Sequence, residues 1–165
     1  MASRYLLIIS VASVILAVTK SYPSGAPEDT CKTFNANHTG VSAQNSQPKY
    51  DLTVSPSSVA PGGIVKVTLQ GTGGETFRGF FIQGFDASNK AVGKFRKQAD
   101  AQTRDCSGPG SATAATHVNN NDKTKVVLTW QAPASFSGKV NYRAVVVKTY
   151  EYYWNNIKSN QLTVA

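Results

Sequence analysis

Histidine and cysteine are scarce in this chain, two of each in 165 residues. A serine or cysteine nucleophile needs a base beside it, and only His38 and His117 are present to supply one. His38 lies inside an Asn-X-Thr triplet, a poor place for a base. His117 has no orienting third group nearby in sequence, so packing or hydrogen bonding is its better reading. Two cysteines as distant as Cys31 and Cys106 make no zinc ligand set. The nine carboxylates are scattered, and none forms a telling acid–base pair. Gly71-Thr72-Gly73-Gly74 lacks the spacing and the following helix of a phosphate loop and reads as a hairpin turn. These absences exclude the familiar hydrolase, zinc-enzyme and nucleotide-binding layouts. No catalytic residue, metal ligand or cofactor is expected, and the chain reads as a non-enzyme.

Long apolar runs are lacking too, with one exception at the start. Arg4 precedes an apolar stretch from Tyr5 to Val18, interrupted by Ser10 and Ser13. That stretch falls short of the roughly 20 residues that cross a bilayer, and a basic residue before a short apolar run is the layout of a secretory signal. Residues 1–21 are read as a signal peptide with cleavage before Tyr22, where Thr19 and Ser21 supply the small residues. Cleavage after Thr19 fits the same rule. No transmembrane segment follows, so residues 22–165 are expected to form one secreted, extracellular domain of a size that buries a sizeable core.

Charge of one sign is also in short supply: nine acidic residues face 17 basic ones, a net charge of +8. Arg4 and Lys20 leave with the signal, so the exported chain stays clearly basic. A basic exported domain is drawn to polyanions such as bacterial envelopes, anionic lipids, sulfated glycans or nucleic acid, and of these a nucleic-acid role is not expected. An even cysteine count in an exported chain reads as a disulfide, Cys31 to Cys106. Closing a loop of roughly 75 residues stabilises by about 4.5 kcal/mol in the chain-entropy model.

The remaining pattern is that of strands. Residues 22–49 are rich in Ser, Pro, Asn and Gly, have little apolar periodicity, and read as an extended leader held by Cys31. Within it, Asn37-His38-Thr39 is an N-glycosylation acceptor. Tyr50, Leu52 and Val54 then alternate with polar residues, as do Val65, Val67 and Leu69, each a half-buried strand. Pro61-Gly62-Gly63 marks the turn between them. Phe77 to Phe85 is too continuously apolar for a half-exposed strand and belongs in the middle of a sheet. Val92 to Arg96 is a short amphipathic strand. Residues 97–124 read as a long polar loop holding Cys106. Val126, Leu128 and Trp130 alternate again, Val140 to Val146 form one face of a long strand, and a last strand takes in Leu162 and Val164. The expected fold is an all-β, immunoglobulin-like antiparallel sandwich of about seven to eight strands with no helix. Its expected core contains Val65, Val67, Leu69, Phe81, Val126, Leu128, Trp130, Tyr142 and Val146.

Two groups stand out as ligand-binding candidates. One is basic: Lys94, Arg96 and Lys97, with Arg104 close behind, the first two on one strand face. Such charges also protect edge strands. The other is aromatic: Tyr150, Tyr152, Tyr153 and Trp154. Aromatics with polar tips suit glycan or protein surfaces, and core packing is expected for two of the four.

Several segments resemble, in order, a known domain. Tyr22-Pro23-Ser24-Gly25-Ala26-Pro27 and Cys31, Pro61-Gly62-Gly63, and Phe77-Arg78-Gly79-Phe80 open the match. Gly93-Lys94-Phe95, Cys106, Thr116-His117 and Trp130-Gln131-Ala132-Pro133 continue it. Together they resemble a Reeler domain over nearly all of residues 22–165, and a chain of this layout resembles the insect defense proteins of that family. The resemblance implies an immunoglobulin-like sandwich, a bond between Cys31 and Cys106, and no catalytic residues. It implies a haemolymph protein of innate immunity, antimicrobial or promoting nodulation. The basic strand face around Lys94, Arg96 and Lys97 is then expected to hold anionic microbial components such as lipopolysaccharide. A matrix or adhesion module that binds host proteins or glycans is the alternative. Ferric-reductase modules of larger relatives are not seen in this sequence.

Overall fold

The computed structural model describes residues 22–165; the expected signal peptide, residues 1–21, lies outside the described residues. Period-two alternation turns one face of most strands inward, and the strands pair into two sheets. They are β1 (Tyr50–Ser55), β2 (Ser58–Val59), β3 (Ile64–Gly71), β4 (Gly79–Phe85), β5 (Lys94–Phe95) and β6 (Ala101–Arg104), then β7 (Ala114–His117), β8 (Lys125–Gln131), β9 (Gly138–Val147), β10 (Tyr153–Lys158) and β11 (Leu162–Val164). One sheet has the order β1-β3-β8-β5. The other runs β2-β11-β9-β4-β7-β6, with β10 also paired to β9. Pairing is antiparallel except for β11 against β2. The all-β sandwich expected from the sequence is the observed fold, with eleven strands among the described residues in place of seven or eight.

The core lies between the sheets. Leu52, Val67, Leu69, Leu128 and Trp130 of the four-stranded sheet meet Phe80, Ile82, Val140, Tyr142 and Val146 of the other. The indole of Trp130 stands edge-on to Tyr142, with ring centroids 5.5 Å apart, a favourable aromatic geometry. Its Nε1–H donates to the Val92 carbonyl at 3.3 Å. Every residue of the expected core is buried. Phe81, however, belongs to a second apolar cluster on the far side of β4, because adjacent strand residues point to opposite faces.

That second cluster explains why β4 is apolar on both faces. The leader folds back over the outer face of the seven-stranded sheet and packs Ala26, Phe34, Ala36, Val41 and Ala43 against Phe81, Val145 and Tyr153. Cys31 is bonded to Cys106 within the same cluster. The leader is not wholly extended: Thr30–Thr33 form one helical turn, closed by Phe34 in the left-handed region, which corrects the expectation of no helix. Residues 97–124 need a larger correction. They contain β6 and β7, and all four residues of β7 are buried. Ala114-Ala115-Thr116-His117 carries too little apolar bulk to read as a core strand, yet it pairs between β4 and β6, with Ala115 in the inter-sheet core and Ala114 in the leader cluster.

Candidate functional site

The basic candidates sit on the outer face of the four-stranded sheet. Gly93 sets the geometry: it has φ +72°, and a Cβ there would lie 2.0 Å from the Trp130 ring. Glycine therefore lets the chain cross the indole closely and enter β5. Phe95 then turns inward, opposite Trp130, which leaves Lys94 and Arg96 exposed on the outer face. The Arg96 backbone N–H bonds the Thr129 carbonyl at 3.0 Å, and its guanidinium donates to Gln131. Lys97 is exposed just beyond.

Strand pairing brings two cations to this face that local spacing did not reveal. Lys66 of β3 lies opposite Thr129 and donates to its hydroxyl at 2.9 Å. Lys125 begins β8 with its side chain exposed. Ile64 and Val127 are the exposed apolar residues between these charges, 44% and 38% accessible. Asp105 is the carboxylate near Lys94 and Lys97, and Asp51 of β1 shares the outer face, across Gln70 from Lys125. The Asp105 carboxyl titrates below the usual range chiefly because the Ala112 and Gly110 N–H groups donate to it, with Lys97 and Lys94 adding a smaller pull. Arg104 is not part of this patch. It stands on β6 of the other sheet, where its Nε donates to the leader carbonyl of Ala26 at 3.1 Å.

The aromatic candidates do not form one surface either. Tyr153 is buried and its hydroxyl donates to Val41 of the leader. Trp154 packs edge-on to Tyr50 and donates to the Ser46 carbonyl at 3.1 Å. Tyr150 stacks on His38 at 4.5 Å with the planes 10° apart, while its hydroxyl holds Thr39. Tyr152 alone of the four is free at the surface, half accessible. Tyr153 and Trp154 are packing residues, and three of the four rings tether the leader.

A cleft of about 230 Å³ opens on the same side, where the leader leaves part of the seven-stranded sheet uncovered. Ala26, Ala36, Phe81 and Val145 line its depth; Tyr22, His38, Arg78 and Tyr150 contribute at its rim. His117 joins the leader to its wall. Its Nδ1 lies 3.2 Å from both the N–H and the carbonyl oxygen of Phe80, and its Nε2 lies within hydrogen-bond distance of the Tyr22 carbonyl, at 3.0 Å. Burial holds this imidazole below the usual histidine range, partly opposed by its bonds to Tyr22 and Phe80. Sequence reading missed the cleft because its lining comes from distant segments. Among the described residues no cluster of His, Cys, Asp and Glu could hold a metal ion, and no helix is long and apolar enough to cross a membrane.

A family model described as the Reeler domain matches residues 29–165. A protein of Antheraea mylitta is 35% identical, covering 95% of this chain and 94% of that protein. One of Drosophila melanogaster is 33% identical, covering 90% and 91%. Both carry defense-protein names. The human F-spondin reeler domain has a TM-score of 0.61 at 19% identity, over 77% of this chain and 96% of that one, a likeness of fold.

Proposed function

The chain belongs to the Reeler domain family, and from that footing we propose that it is an exported defense protein that adheres to anionic microbial surfaces through the outer face of its four-stranded sheet. In this reading residues 1–21 are a signal peptide, residues 22–165 act extracellularly in haemolymph, and no catalysis is involved. The observation that carries it is the grouping of Lys66, Lys94, Arg96, Lys97 and Lys125, all exposed, around that sheet. Attraction between exposed charges reaches only about 8 Å at physiological salt, so grouped cations act together where scattered ones do not. Arginine adds bidentate contact to phosphate, and lysine a looser point charge. The one helix among the described residues has four residues, too short to lie in a bilayer as an amphipathic wedge, which supports adhesion, opsonisation or nodulation over direct lysis.

The test is binding to whole bacteria and to purified lipopolysaccharide across a salt series. A Lys94→Glu, Arg96→Glu, Lys97→Glu variant that keeps the parent's thermal unfolding is the comparison. The expected result is binding at least about tenfold weaker, with a shallower dependence on salt. Equal binding by parent and variant overturns the reading.

A further inference from the structure

We propose that the cleft between the leader and the seven-stranded sheet is a binding site for a medium-chain carboxylate, an apolar chain of roughly eight carbons ending in an acid. The inference is independent of adhesion, because the cleft and the cationic sheet face lie on opposite sides of the sandwich. Three observations carry it. First, the depth of the cleft is apolar, built by Ala26, Ala36, Phe81 and Val145. Small-molecule sites combine such a lining with a few placed polar groups. Its volume of about 230 Å³ exceeds the roughly 150 Å³ of an apolar cavity that binds benzene and falls below the range of drug-sized pockets, which begins near 300 Å³.

Second, Gly79 keeps that depth open. A Cβ there would lie 3.2 Å from His117 Cε1 and 3.3 Å from Val147 Cβ, so any side chain would crowd the wall that His117 forms.

Third, among the described residues the only charged side chain in the lining is Arg78. Asp122 accepts from its Nε at 2.8 Å, and among the described residues its two terminal nitrogens donate to no protein group. A guanidinium engaged on one edge keeps a fork of donors for a carboxylate. The histidines of the lining are already engaged: His117 by Tyr22 and Phe80, and His38 by Tyr150. Arg78 is therefore the group placed to receive the acid, with the chain directed inward.

Octanoate titrated into the isotope-labelled protein, followed by NMR, tests the assignment. Saturable shifts are expected at the methyls of Ala26, Ala36, Val145 and Val147, with a Kd of roughly millimolar for so small a ligand. Arg78→Gln is expected to weaken octanoate about fivefold or more and to leave 1-octanol binding unchanged. Ala36→Leu, which fills the depth, is expected to weaken both. If Ala36→Leu unfolds the chain, Val147→Phe replaces it. The Lys94, Arg96, Lys97 triple variant is expected to bind octanoate like the parent, which separates this result from the adhesion test. Absence of saturable shifts at the lining methyls up to about 5 mM overturns the site. Equal loss of octanoate and octanol in Arg78→Gln, or no loss of either, overturns the acid.

Discussion

At the scale of residues, Trp130 and His117 join the sandwich together at different depths. Trp130 is fully enclosed and touches β5, β9 and the Gly93 backbone. Removing its indole leaves a cavity that close packing cannot fill, and Trp130→Ala is expected to cost about 3–5 kcal/mol in denaturant unfolding. A loss below about 1 kcal/mol would remove Trp130 from the core. His117 makes stability depend on pH. Its folded-state pKa lies below the ordinary value, mainly through burial, so the unfolded chain binds the proton more readily. The contribution is complete above the unfolded pKa of about 6.5 and is lost as pH falls toward the lower folded value. Between pH 7.5 and 5 the parent's melting temperature is expected to fall by a few degrees more than that of His117→Gln. Parallel curves would refute the role. His117 was read from sequence as a packing or hydrogen-bonding residue, but its strand and its Tyr22 partner were invisible there.

At the scale of elements, the leader is the part least visible in sequence. Its apolar residues, Ala26, Phe34, Ala36, Val41 and Ala43, follow neither a period of two nor of 3.6, because the chain crosses the sheet as irregular structure and touches it only at intervals. What holds it is a set of side-chain bonds to its carbonyls, from Arg104, Tyr150, Tyr153 and Trp154, together with the Cys31–Cys106 bond. Replacing both cysteines by serine is expected to lower stability by about 2–5 kcal/mol. Hydrogen exchange should quicken first at leader amides such as Ala26, whose N–H bonds Thr116. Unchanged protection there would show that the disulfide acts on the unfolded chain alone. The long strands, by contrast, were legible: β1, β3 and β8 each alternate cleanly, β9 alternates until Ala144-Val145-Val146 are buried on both faces, and β4 is continuous because it is buried on both sides. β2 has two residues, β6 and β7 are small or polar, and β10 carries a register irregularity between Trp154 and Ile157. None of these leaves a periodic signal.

At the scale of the whole molecule, the signal assignment is open to direct test. Tyr22 is bonded through its carbonyl to His117, a contact that a chain cleaved before Tyr22 retains. Intact-mass analysis of the protein exported from insect cells is expected to give a chain starting at Tyr22. It should also carry a glycan that disappears in Asn37→Gln, since Asn37 is exposed in its turn. A chain retaining residues 1–21 would refute the signal assignment. Sequence by itself determined the all-β class, the long strands, the inward residues of the alternating strands and the shared face of Lys94 and Arg96, because alternation is a local property of the strand; in the continuously apolar β4 it misplaced Phe81, which faces the leader. It also presented the ordered motifs by which the family is recognised. Tertiary structure alone decided that Lys66 and Lys125 join that face, that Arg104 and three aromatics tether the leader, and that a cleft opens beneath Arg78. Those neighbours are set by strand pairing and by a leader without periodicity, and contacts between residues far apart in the chain leave no mark in local spacing.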